Sequence, residues 1–194
     1  MMALHIMAVD RLYANSVETT NGGVFVLTLN LKSDTPMCGF ECVIDLPEGV
    51  TAVTDSFGDL VYDLGSRTNS KRHVISCVNN GNNSVKMLCY SNTALPFADL
   101  DGDVATITLK ANENMKEGNY TINLTGIVLS SPDDKTLYPS DESFTLTVKD
   151  QLACVVKPYI STSSNSPLYN VIGQRVSTPR GLVVSKGKTL NLKP

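Results

Sequence analysis

The sequence contains no tryptophan and only two histidines among 194 residues, and aromatic residues make up 6% of it. Flat polysaccharide platforms usually rely on exposed rings, tryptophan above all, to cover the apolar faces of sugars. Any such role here falls to Tyr13, Tyr62, Tyr90, Tyr120, Tyr138, Tyr159 and Tyr169. Several of these alternate within strand-like segments and read more simply as core or edge residues. The scarcity of aromatic side chains also removes the basic stacking surface on which single-stranded nucleic acid is read, so no nucleic-acid partner is expected. No apolar run approaches the roughly 20 residues of a membrane-spanning helix. The opening MMALHIMAVD has no charged leader, no apolar run of signal-peptide length and no small-residue cleavage site. Either the protein is cytoplasmic or its export signal lies outside this chain.

Catalytic signatures are missing as well. There is no HExxH, no GxSxG nucleophile elbow and no phosphate-cradling glycine loop. The histidines are His5 and His73, and His73 follows Lys71 and Arg72 at the start of a strand-like run, which reads as a solvated edge position. No cysteine has a recognisable histidine partner in sequence, and no carboxylate pair stands out from the surface charge. A pair of glycosidase carboxylates on separate loops leaves no sequence signature. The expectation is a non-enzyme with no catalytic residues and no cofactor.

Five cysteines, Cys38, Cys42, Cys77, Cys89 and Cys154, leave at least one thiol unpaired in a monomer. Cys38 and Cys42 would lie about 13 Å apart along an extended strand, too far for a disulfide. Cys77 and Cys89 flank a hairpin-like segment and face each other if the register allows. The simplest reading is of small residues within half-buried strands, since free cysteine is among the most buried residue types.

One string invites a metal: Asp99-Leu100-Asp101-Gly102-Asp103. Alternating carboxylates resemble the first half of a calcium loop. The glycine falls at the fourth position of that template and not the sixth, and its twelfth position is Lys110 where a bidentate glutamate belongs. A tight polar turn feeding the next strand is the simpler reading, and no metal ligand is assigned.

What the sequence has in abundance is two-residue alternation. Residues 24–31 (VFVLTLNL), 39–46 (GFECVIDL), 73–77 (HVISC), 85–90 (VKMLCY), 104–110 (VATITLK), 120–129 (YTINLTGIVL) and 143–148 (SFTLTV) read as strands rich in β-branched and aromatic residues. Between them lie the turn-forming clusters NGG, LPEG, NNGNN, DLDGD, NMKEGN and SSPDDK, with glycine or asparagine for left-handed backbone and proline for fixed φ. Residues 112–117 offer a single helical turn at most. Seven or more short strands in about 150 residues predict an all-β antiparallel jelly-roll sandwich. A closed barrel is the alternative.

Residues 151–165 break this rhythm and end in a Ser/Thr/Asn cluster of linker composition. Residues 166–194 restart the strand pattern around turns, as a small β-hairpin appendage. This tail holds five of the 16 basic residues, Arg175, Arg180, Lys186, Lys188 and Lys193, and no acidic one, leaving 11 basic against 19 acidic residues before it. Because the charges are spaced among Leu, Val, Ile and Tyr, the tail reads as a folded basic surface and not as a disordered arm.

The order of these segments across residues 5–149, from VFVLTLNL through CGFECVIDLPEGV and CYSNTALPFADLDGDVATITLKAN to SFTLTV, resembles cohesin-like domains. Those domains belong to a jelly-roll superfamily shared with carbohydrate-binding modules. Phe40, Leu46, Pro47, Gly49 and Val50, and Gly102 with Val104 to Leu109, carry the resemblance. In the tail, Tyr169, Asn170, Gly173, Gln174, Arg175, Val176, Gly181, Gly187 and Lys188 resemble the C-terminal sorting segments of proteins exported by type IX secretion, although the segment is shorter than usual. The resemblances imply residues 1–150 as a cohesin-like sandwich, 151–165 as a linker and 166–194 as the appendage. They further imply an extracellular or outer-surface location in a bacterium and an interaction or adhesion role with a protein partner. A polysaccharide partner, as for a carbohydrate-binding module, and a structural spacer are the alternatives. The ligand-binding residues are not identified by sequence.

Overall fold

Alternation becomes a two-layer structure in the computed structural model, which describes residues 10–150 and, beyond them, only short strand backbones of the tail. Two sheets face each other. The smaller contains β1 (Arg11–Ala14), β3 (Val24–Lys32), β9 (Asp101–Ala111) and β5 (Val50–Ala52) in that order, with β6 (Tyr62–Leu64) also on β9. The larger runs β2 (Val17–Thr20), β12 (Glu142–Lys149), β10 (Gly118–Ser130), β4 (Gly39–Asp45), β8 (Ser84–Ser91) and β7 (His73–Gly81), with β11 (Thr136–Leu137) on β10. The predicted all-β sandwich is therefore present.

Every predicted strand forms; six of the seven extend by one to four residues because neighbouring backbone groups continue the ladder, and β4 stops at Asp45, one residue short of the predicted Leu46. Five strands too short to show a period, β1, β2, β5, β6 and β11, were legible only as flanking sequence. One pairing departs from the antiparallel expectation: β2 runs parallel to β12, with Leu146 beside Val17. The chain leaves the smaller sheet after Ala14 and reaches the larger one at Val17. It thus arrives beside the last strand in the same direction. The 112–117 segment makes a turn, closed by the Met115 N–H on the Asn112 carbonyl.

The core lies between the sheets. β3 contributes Leu27, Leu29 and Leu31, β9 contributes Ile107 and Leu109, β4 contributes Phe40, Cys42 and Ile44, and β10 contributes Ile122 and Leu124. Full burial of one such aliphatic side chain is worth about 1.5–3 kcal/mol, so the sandwich does not depend on covalent cross-links. The β7–β8 hairpin turns at Asn82 and Asn83, both with positive φ, as a two-residue hairpin turn needs to match strand twist. A register shift where β3 meets β9 leaves Val104 as an extra residue, so Val104 and Ala105 are both buried in succession. The displaced Val104 carbonyl accepts the Gly65 N–H.

Cys38, Cys42, Cys77 and Cys89 are buried free thiols. The register sets Cys77 opposite Met87 and Cys89 opposite Ile75, so Cys77 and Cys89 do not face each other across the hairpin. Cys154 lies outside the described residues.

Residues Leu152–Pro194 form a second unit. In it the backbones of β13 (Leu168–Asn170), β14 (Arg175–Val176), β15 (Gly181–Ser185) and β16 (Lys188–Leu192) pair antiparallel in the order β14-β13-β15-β16. The linker assignment at 151–165 and the sorting-segment positions Gly173, Gln174 and Gly187 lie outside the described residues.

Candidate interaction face

The larger sheet has one face in the core and one in solvent, and the solvent face is unusually apolar at one end. Register places three rows across β7, β8, β4 and β10: Val74, Tyr90, Gly39 and Ser130; Ser76, Leu88, Glu41 and Val128; Val78, Lys86, Val43 and Thr125. Val74, Val78, Leu88 and Tyr90 are 41, 53, 37 and 43% exposed. Val43 and Val128 are half-buried beside them. Gly39 next to Tyr90 carries no side chain because a Cβ there would lie 2.6 Å from the Ser130 hydroxyl and 3.0 Å from the Cys89 carbonyl. The charges within these rows neutralise each other, Lys86 Nζ lying 2.7 Å from Glu41 Oε1. A half-exposed pair of this kind adds little stability. Its effect is to leave the centre of the face without net charge.

The outer face of the smaller sheet differs. Val24 and Val26 are exposed, but their rows continue as Lys110 with Thr51 and as Thr108, and the next row is Thr28, Thr106 and Asp63. Threonine and charge dominate there. Scattered exposed apolar residues are normal; a contiguous patch across neighbouring strands marks a contact surface.

The acidic string is organised by a residue 32 positions upstream of its first aspartate. Arg67 is 6% exposed, and its guanidinium donates from Nε to the Ala98 carbonyl, from Nη1 to those of Leu31 and Gly102, and from Nη2 to that of Asp99 at 2.6 Å. Burial lowers its pKa while Asp101, Asp99 and Asp103 pull it back up. The carboxylates of Asp101 and Asp103 are engaged elsewhere. Asp101 accepts from the Tyr13 hydroxyl at 3.0 Å and lies 3.4 Å from Lys32 Nζ; Asp103 accepts from the Ser66 N–H and hydroxyl. Hydrogen bonds from Tyr13 and from Ser66, respectively, hold their carboxyls below the usual range. The string is thus a polar turn wrapped around an arginine, with a fixed cation supplied by the chain. No group of three potential metal-ligating side chains occurs among the described residues. Arg67 was not singled out by sequence because nothing in the local SRTNS stretch or in DLDGD announces a long-range guanidinium.

His73 requires a correction. It is 3% exposed, not a solvated edge residue. Its ring stacks on Phe97 with centroids 4.9 Å apart, and Nδ1 accepts the Asn69 N–H at 3.0 Å. The inward half of the strand's alternation begins at His73 itself, which outweighs the polarity of Lys71 and Arg72 before it. Burial lowers its pKa, opposed by the backbone of Asn69 and Leu95. His5 lies outside the described residues.

Among the described residues, the tyrosines do not form a platform. Only Tyr90 stands in the apolar rows; Tyr138 is exposed beyond β11, Tyr13 is bonded to Asp101, and Tyr62 and Tyr120 pack against the core. The side chains of Tyr159 and Tyr169 lie outside the described residues. A cleft of about 560 Å³ lined by Asp10, Pro36, Met37, Pro96, Pro132 and Leu137, among others, contains neither histidine nor cysteine, and Asp10 in it already accepts the Asp34 N–H.

No protein-family model matches this sequence, and no curated protein does. Solved structures do. The non-cellulosomal cohesin of the archaeon Archaeoglobus fulgidus is 14% identical, with TM-score 0.59 over 75% of this chain and 94% of that one. A type I cohesin from Clostridium thermocellum, in the Coh-OlpA-Doc918 cohesin–dockerin complex, is 13% identical, with TM-score 0.60 over 73% of this chain and 99% of that one. The sixth cohesin of Acetivibrio cellulolyticus scaffoldin B, in complex with a Cel5 dockerin variant, is 11% identical, with TM-score 0.60 over 73% and 100%.

The fold is cohesin-like.

At such identities the likeness reaches the backbone alone. Within the cohesin-like sandwich, Leu88, Tyr90, Val74 and Val78 make the solvent face of β7 and β8 apolar. Sequence contained them as the outward members of two alternating strands, but without the register it could not show that they adjoin.

Proposed function

We propose that this chain is a non-catalytic interaction module whose cohesin-like sandwich binds a protein partner across the outer face of β7, β8, β4 and β10. The carrying observation is the adjacency of Val74, Leu88, Tyr90 and Val78 on that face around an internally neutralised Lys86–Glu41 pair. An apolar centre without net charge, set in a polar surround, is the anatomy of a protein interface. Two of the similar cohesins were solved in complexes with dockerins, which favours a protein ligand over a sugar. The non-catalytic reading is supported by His73, the one described histidine, being stacked and bonded within the core.

A carbohydrate ligand has weaker support, because a single tyrosine stands in the apolar rows and the sequence has no tryptophan. The chain acts outside the cell, on the surface of a bacterium, with residues 166–194 as a docking or sorting element. That part of the proposal rests on the sequence resemblance of the tail and on the bacterial cohesins among the similar structures.

The test is comparative capture. Immobilised native chain retains a specific protein from an envelope or culture-supernatant fraction of its source, and a folded Leu88→Glu variant does not. Specific, saturable binding on a glycan array, without such a protein, would replace the reading with the carbohydrate one. Deleting residues 166–194 tests the tail separately through secretion and surface retention.

A further inference from the structure

Among the described residues, strand β7 ends the larger sheet and pairs with β8 alone. An open edge is a template for pairing with another chain, and natural proteins blunt it with charge, proline, shortness or a bulge. The other edges of this sandwich are blunted. β1 is four residues long and carries Arg11, which sits over the Tyr13 ring and pairs with Glu142. β2 is four residues long and carries Glu18, ion-paired with Lys149. β5 and β6 are three residues each. By contrast, β7 is nine residues long, reads HVISCVNNG, and has no Lys, Arg, Asp, Glu or Pro. Lys71 and Arg72 precede it, and a register irregularity between Asn79 and Gly81 follows. The unguarded part is therefore Val74 to Val78.

The backbone phase of this segment can be worked out. Ser91, opposite His73, sends its N–H to Cys38 on the β4 side, and the Asn92 N–H goes to the Arg72 carbonyl. His73 and Ser91 are thus a non-hydrogen-bonded pair, and alternation makes Val74, Ser76 and Val78 the residues that bond to β8. The N–H and C=O of Ile75 and Cys77 point to the open side.

We propose that the Val74–Val78 edge pairs antiparallel with the same edge of a second copy, about a two-fold axis at Ser76, joining two larger sheets into one. The segment is self-complementary under that operation, as a two-fold interface requires. Ile75 meets Cys77 of the second copy, and the outward backbone groups of both exchange hydrogen bonds. Val74 meets Val78 of the second copy at a non-hydrogen-bonded position, where side chains approach closest. Both valines are exposed and on the same solvent face. No charge opposes itself across the seam, which distinguishes a second copy from partners that need a complementary charge pattern. Val74 and Val78 belong both to this seam and to the apolar rows, but the pairing requires no partner on those rows, and it places two such faces side by side.

Analytical ultracentrifugation of the full chain over a micromolar series is the experiment. The native chain shows a dimer whose fraction rises with concentration. The double variant Val74→Lys, Val78→Lys sediments as monomer at every concentration while keeping its circular dichroism spectrum, because like charges then oppose each other across the seam. Ser76→Cys in a Cys154→Ser background, treated with a mild oxidant, gives a covalent dimer, since cross-strand Cα separations at such a position fit a disulfide. Asn80→Cys in the same background, away from the axis, does not. A native chain that stays monomeric, a charged variant that dimerises as the native chain does, or equal cross-linking at positions 76 and 80 overturns the proposal.

Discussion

Nη2 of Arg67 donates to the carbonyl of Asp99 at 2.6 Å, so the acidic string that resembles a calcium loop closes on a guanidinium. The bonds from the same side chain to Ala98, Leu31 and Gly102 tie β3, β9 and the 98–103 turn together. Because the cation belongs to the chain, millimolar calcium should leave the melting temperature unchanged. Arg67→Met should lower stability by about 3 kcal/mol, since buried carbonyls lose charge-assisted partners. Arg67→Lys should recover only part, as an ammonium cannot reproduce the planar fork. Thermal melts with and without calcium measure both.

Gly65 tests the same region sterically. A Cβ there would lie 2.6 Å from the carbonyl carbon and oxygen of Asp103, which are backbone and cannot rotate away. Gly65→Ala should therefore cost about 1–3 kcal/mol, as overpacking typically does, measured by urea unfolding.

Stability should fall on acidification in two steps. His73 has a native pKa below its ordinary 6.5 because burial penalises the charged ring. The unfolded chain then binds the proton more readily. The stability from keeping His73 neutral is complete above about 6.5 and is lost as pH falls from there through the lowered native value. Asp103 and Asp101 also have lowered native values, so their contribution is present above the ordinary carboxylate range and is lost below it. His73→Phe should flatten the first step and Asp103→Asn the second. Denaturant midpoints as a function of pH check this.

The buried thiols should be inert. Burial pushes Cys77 up to about 11 and Cys89 up to about 12, and pushes Cys42 further still. Thiolate is the reactive form, so a thiol reagent at neutral pH should modify none of Cys38, Cys42, Cys77 and Cys89 in the folded chain. All four should react after denaturation. Mass spectrometry of labelled peptides distinguishes these from Cys154.

The sandwich was legible because its long strands alternate: the outward and inward residues of VFVLTLNL or GFECVID are readable without a partner. What alternation cannot supply is who lies beside whom. Leu88 next to Ser76 and Glu41, and Tyr90 next to Val74, follow from pairing registers set by Asn82–Asn83 turn geometry and core packing over tens of residues. His73 was misread because its neighbours in sequence are basic, whereas its burial comes from Phe97, 24 positions later. Arg67 was missed for the same reason, its partners lying at Leu31 and at 98–102.

The central claim is that the outer face of β7, β8, β4 and β10 binds protein. The most direct measurement is capture by native chain, by Leu88→Glu and by Val26→Glu, the last placing the same charge on the opposite sheet. The account predicts that one protein is retained by the native chain and Val26→Glu and reduced at least about tenfold for Leu88→Glu, as expected when a charge is buried at an interface centre. Retention by Leu88→Glu equal to native, or loss with Val26→Glu alone, would contradict it.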